Sequence, residues 1–149
     1  MSTMAGHVAA RLVLDTQIVC HVADRVFAWD IRADGPDAHP ETRGPFGFLV
    51  PHIVVDDQGG TRSPFGAQGT YQDAIGVWVF AEHSVTGRAA IEALTARILI
   101  RLHRWQEANT KAQLFFADRT GFIADPPPAT GAQEQLRFTV AGTFAGVAT

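Results

Sequence analysis

The chain has 149 residues, 46% of them hydrophobic and 18% charged, with a formal net charge of −3. That length supports one hydrophobic core and is short for two domains, and the acidic balance argues against a freestanding nucleic-acid binder, whose footprint is normally basic. A single cysteine, Cys20, excludes an intrachain disulfide and a cysteine-based zinc site, and it reads as a small buried hydrophobe rather than a reactive thiol.

The sparse charge leaves much neutral surface and favours self-association. Lys111 stands alone beside eleven arginines, a bias that genome composition explains more simply than selection for bidentate contacts. The N-terminal residues, with His7 and Arg11 close behind, hold no sustained apolar run. They read as neither signal peptide nor membrane anchor, so folding in a cytoplasm is expected.

A first helix is expected from about Thr3 to Val13, with Val8, Leu12 and Leu14 as its stripe and Ala9 and Ala10 permitting close packing. Asp15 offers a cap for a second short helical turn carrying Ile18, Val19 and Val22. Arg25 to Trp29 reads as a short strand. His7 and His21 have no partner at ligand spacing and read as surface or satisfied core residues.

Ile31 to Gly47 is rich in glycine and proline, which remove donors and loosen the backbone, so it is expected to be irregular. Loops of this length are usually functional or ordered by a partner. Arg43, Phe46 and Phe48 at its end have two readings: a loop folding its own phenylalanines over the core edge, or an arm reaching a neighbouring subunit.

Leu49 to Asp56 forms a strand with Leu49, Ile53 and Val55 on one face and Val50, His52 and Val54 on the other. Pro51 places it near an edge or a bulge. Asp56 and Asp57 would project to opposite faces, so they cannot serve together as catalytic acid and base, and solvation of a strand end explains them better. Gln58 to Gly69 reads as a loop closing an extended β-hairpin. Its Gly-Gly-Thr-Arg-Ser run suggests an anion cradle but lacks a Walker lysine and a following helix.

Tyr71 to Ala81 is apolar on both faces, with Ile75, Val77 and Val79 against Ala74, Trp78 and Phe80. Such a strand is central, or is covered by a second layer that another subunit can supply. After Ser84 as N-cap, Thr86 to Trp105 places Ile91, Leu94, Ile98, Leu102 and Trp105 on one helical face. Arg97, Arg101 and Arg104 flank that face. They are read as complementing the helix macrodipole in preference to binding DNA phosphates, and His103 as solvated. Asn109 and Thr110 close the helix.

Lys111 to Asp118 forms a fourth strand with Leu114 and Phe116 opposite Phe115. Gly121 to Gly131, with Pro126, Pro127 and Pro128, reads as a rigid connector. Glu134 to Phe144 alternates cleanly, with Leu136, Phe138, Val140 and Phe144 inward and Gln135, Arg137, Thr139 and Thr143 outward. The expected fold class is α+β. It has one mixed, mainly antiparallel sheet of four to five strands, an N-terminal helix and one long central helix packed on one face, an extended hairpin and long loops.

Five stretches carry a resemblance: Asp24-Arg25-Val26-Phe27, Leu49 to Val55, Ile75 to Ser84, the helix with Arg88, Ala89, Ile91 and Leu94, and Leu136 to Val140. Together they resemble the small tail-terminator, or tail-completion, proteins of long-tailed bacteriophages and phage-like gene transfer agents. The patterns are of strand and helix rather than catalytic signatures, and they cover most of the chain as a single domain, residues 1–149. The Ile31–Gly47 segment is longer than a minimal member needs.

The resemblance implies a structural virion protein of the tail neck, assembled in a bacterial cytoplasm as a homo-hexameric ring. Such a ring caps the completed tail tube, joins it to the head-closure or connector ring and lets DNA pass through its lumen without specific binding. It implies no enzymatic activity, cofactor, metal or membrane partner. The candidate subunit or partner interface is Arg43, Phe46, Phe48, Arg62, Phe65 and Tyr71. Two alternatives stay open: another neck protein, such as a head-closure or adaptor protein, and a small ligand-binding or enzymatic α+β domain with His52, Asp56 and Asp57 near a pocket. Against the latter, no nucleophile–base pair, metal spacing or phosphate loop can be assembled from the sequence.

Overall fold

The computed structural model describes residues 4–28, 42–44, 48–62, 70–82, 84–109, 111–124 and 132–143. Among the described residues three helices and five strands follow in the order α1 (Met4–Leu12), α2 (Thr16–Val22), β1 (Val26–Ala28), β2 (His52–Arg62), β3 (Thr70–Ala81), α3 (Val85–Leu102), β4 (Gln113–Ala124) and β5 (Ala132–Thr143). The strands form one sheet in the order β1-β2-β3-β5-β4. Only β1–β2 is parallel, and the other three pairings are antiparallel. The α+β class, the mixed sheet and the extended β2–β3 hairpin are therefore as the sequence predicts.

β3 is the middle strand, and its two faces meet different surroundings. Ile75, Val77 and Val79 join Ile53, Val55, Leu136, Phe138 and the buried faces of all three helices in the main core. The opposite face carries a small second cluster in which Leu49, Val54 and Phe80 are buried and Trp78 packs half-exposed. Leu49 thus shares a side with Val54, not with Ile53 and Val55 as simple alternation predicts. The chain bends at Pro51 before β2 begins, which breaks the period. Part of the second apolar face is accordingly covered by Leu49 of this chain, while Phe48 beside it stays 47% exposed.

β2 is longer than expected. Gln58 to Arg62 continue the ladder beyond a register shift between Asp57 and Gly60, a bulge that absorbs the glycines instead of ending the strand. Asp56 lies within the strand and is buried, so solvation of a strand end does not describe it; Asp57 is exposed on the other face. β4 likewise runs on through Gly121 to Ala124 with two register shifts, so those residues are ladder rather than connector. Pro126 to Pro128 and Phe144 lie outside the described residues.

Each helix has a local cause. Asp15, extended and buried, accepts the Gln17 N–H at 2.8 Å and starts α2. Ser84 accepts the Gly87 N–H at 3.0 Å and starts α3. α3 ends at Leu102, well before Asn109. There Arg104, at φ 67°, turns the chain back so that its N–H reaches the Leu114 carbonyl at 2.7 Å. Trp105, though beyond the helix, still packs on the core and lies under the Arg11 guanidinium, 5.0 Å from its ring centre. Cys20 is exposed rather than buried, because it lies on the outer side of α2 away from Ile18 and Val22.

Candidate interaction surfaces

The four candidate interface residues among the described residues do not converge. Arg43 is half-buried and forms an isolated antiparallel bridge with Leu49. Phe48 is 47% exposed. Arg62 and Tyr71 are cross-strand partners at the far end of the β2–β3 hairpin, about 30 Å from Phe48 at the usual rise of a strand. Phe46 and Phe65 lie outside the described residues. The candidates therefore divide between two ends of the sheet.

Phe48 borders a cavity of about 290 Å³ with Gly44, Val50, Glu82, Gly87 and Ala90, where the Thr42–Val50 stretch approaches the first turns of α3. Its lining is apolar apart from Glu82 and the neighbouring Thr86. Gly87 is required here: a Cβ on it would stand 1.9 Å from the Glu82 carbonyl oxygen. The close approach of α3 to the end of β3 sets the floor of the cavity. None of these residues except Phe48 was singled out by sequence for an interface, since the cavity arises from a contact between distant segments.

At the opposite end of α3, the arginine flank has a structural partner that the macrodipole reading missed. Arg97 Nε donates to Asp15 Oδ2 at 2.7 Å, and Arg101 Nε donates to the same oxygen. Arg101 carbonyl oxygen in turn accepts from Arg11 Nε at 2.9 Å. Burial pushes the Asp15 carboxyl up, but the hydrogen bonds from Arg101, Arg97 and the Gln17 N–H outweigh it and hold the carboxyl at about 2. Burial and the neighbouring Arg101 charge lower the Arg11 guanidinium. Around this ionic centre Leu14 is 79% and Ile100 67% exposed. His103, expected to be merely solvated, is exposed but accepts the Phe116 N–H at Nδ1, 3.0 Å away, and so satisfies part of the outer edge of β4.

His52, Asp56 and Asp57 do not form a catalytic grouping. His52 and Asp56 are buried on one face, four strand positions and so about 13 Å apart, and Asp57 points to the other face. His52 Nδ1 lies 2.8 Å from the Val50 carbonyl, to which it donates, and its ring stacks on Phe80 at 4.8 Å. Among the described residues no cluster of three or more His, Cys, Asp or Glu can hold a metal ion, and no helix is long and apolar enough to cross a membrane.

With this geometry in view, solved structures supply a close likeness in shape. A chain of the virion of a native gene transfer agent particle superposes with a TM-score of 0.64 at 14% identity, over 93% of this chain and 92% of that one. The two share a fold. No family model and no curated protein matches the sequence.

Proposed function

We propose that this chain is a structural protein of a phage-like virion, a single-domain protomer of the hexameric ring that terminates the tail tube. The ring caps the completed tube and joins it to the head-closure or connector ring in the tail neck. The observation that carries this reading is the agreement of fold along nearly the whole length of both chains with a gene transfer agent virion component. The shared fold spans nearly all of both chains, which suits an assembly built from repeated small subunits.

Other features support the ring. The two hairpins leave the sheet at opposite ends: β2–β3 turns beside the end of β5, where Thr70 pairs with Thr143, and β4–β5 turns beside the end of β3, where Ala81 pairs with Ala132. A ring protomer that meets a tube on one side and a connector on the other suits hairpin ends on opposite sides of the sheet. Arg43 and Phe48 at one end, and Arg62 and Tyr71 at the other, serve these contacts, and the sequence assigns Phe46 and Phe65 to the same role. A net charge of −3 suits a lumen through which DNA slides without sticking. The role is non-enzymatic and uses no cofactor.

Native mass spectrometry of the purified chain, combined with electron microscopy of tail tubes assembled with and without it, tests the proposal. Six copies per particle and tubes that stop lengthening once capped are expected. A stable monomer with no effect on tube length would overturn it.

A further inference from the structure

Two features at opposite ends of α3 are complementary. At the N-terminal end lies the apolar cavity bordered by Phe48, Val50 and Ala90, with Glu82 at its wall; among the described residues Glu82 has no ion-pair partner. At the C-terminal end Leu14 and Ile100 are exposed large apolar side chains. The Asp15–Arg101 ion pair draws their segments together, since each immediately precedes one of its members. Arg97 and Arg101 hold Asp15 next to Leu14, Arg11 donates to the Arg101 carbonyl, and Arg104 follows two residues after the end of α3. Asp15 engages two of these arginines, and the buried Glu107 beyond Arg104 lies 3.6 Å from His7; four arginines against two carboxylates leave that end positive. An apolar knob with a basic rim thus stands about 20 Å along the helix from an apolar socket with an acidic wall.

We propose that these surfaces are the two halves of one head-to-tail interface between copies of this chain: Leu14 and Ile100 of one protomer enter the Phe48–Ala90 cavity of the next, and Arg104 of the first faces Glu82 of the second. Because knob and socket occupy different places on one subunit, the contact is heterologous, and repetition closes a ring where the rotation allows. The apolar insertion supplies the desolvated centre and the Arg–Glu pair the register. The inference deepens the ring reading above and rests on it for the occupant, a second copy; the charge match identifies which surfaces meet.

The test compares the full chain with four variants by sedimentation and native mass spectrometry: Leu14→Gln with Ile100→Gln, Glu82→Arg, Arg104→Glu, and Glu82→Arg with Arg104→Glu. Circular dichroism melts confirm folding, which these exposed or half-exposed positions should preserve. The apolar double variant should be monomeric. Each charge reversal should raise the concentration for half-assembly at least tenfold, and the double reversal should restore it to within threefold of the parent. A parent ring that none of the variants disturbs would overturn this interface while leaving the ring reading standing. A ring of another copy number, broken and rescued as described, would support the interface and overturn the hexamer. A monomeric parent would overturn both; if its binding to tail tubes were lost in Glu82→Arg, the socket receives the tube protein instead of a second copy.

Discussion

Gly87 and Asp15 show how much a single position can hold. Gly87 is the third residue of α3, where its N–H serves the Ser84 cap and its missing Cβ lets the Glu82 carbonyl pass. Gly87→Ala forces backbone against backbone, which no rotamer change relieves, and should cost about 2–3 kcal/mol in urea unfolding despite alanine's better helix propensity. Ser84→Ala should cost about 1 kcal/mol by losing only the cap. Asp15 is both a cap and the shared acceptor of Arg97 and Arg101, so Asp15→Asn should cost about 2–3 kcal/mol. Its folded pKa lies below the ordinary value of 3.8. Its contribution is therefore complete above the unfolded value and is lost as pH falls through about 2. Acid unfolding of Asp15→Asn should lack that component. The cap was readable from Asp15 and the apolar residues after it. Its arginine partners were not, because they lie 82 and 86 positions away and nothing local announces such a pair.

At the scale of elements, β3 makes the contrast between the two sheet faces measurable. Val77 is fully buried in the main core, whereas Trp78, next to it, packs half-exposed in the smaller cluster. Val77→Asp places a carboxylate among apolar side chains and should unfold the chain, costing more than about 3 kcal/mol. Trp78→Ser should leave a folded protein with a lowered melting temperature, so thermal melts of the two variants separate the faces. Alternation in the sequence identified both faces of β3 and the inward set of β5, because those strands run without interruption. It failed where the backbone departs from strict period two: at Pro51, which moved Leu49 to the other face, and at the bulge after Asp57, which kept a glycine-rich stretch in the ladder. The glycines and prolines there were legible as irregularity but did not indicate whether the irregularity ends a strand or bends it. The turn from Leu102 to Gln113 was hidden for another reason. It depends on positive φ at Arg104 and Lys111, which neither residue type advertises.

For the whole molecule, order along the chain and order across the sheet part company. β5, last in sequence, lies between β3 and β4, and neither periodicity nor composition specifies such a placement. The candidate interface was legible only in part. Phe48 was picked out by the company of glycine and proline, but Glu82, Leu14 and Ile100 acquire meaning only when the fold sets them at the two ends of one helix. A hairpin test belongs at this scale. Replacing Arg62 and Tyr71 with alanine should leave the melting temperature within a few degrees of the parent, because they pair four positions beyond Ile75, the first core residue of β3, yet reduce capping of tail tubes in an assembly assay.

The late insertion of β5 governs how the protein is made. β3 has a partner on one side as soon as the β2–β3 hairpin forms, but its other edge pairs along its full length with Ala132 to Thr143. A ribosome needs about 3–12 s to add the roughly 60 residues from the end of β3 through the end of β5 at ordinary elongation rates. Throughout that interval the nascent chain carries an unpaired strand edge in the middle of its future sheet, the kind of edge that recruits strands from other chains. Synthesis of nascent chains close together on one message should accordingly favour aggregation over assembly, and slower translation of the segment after α3 should lower the yield of folded protein.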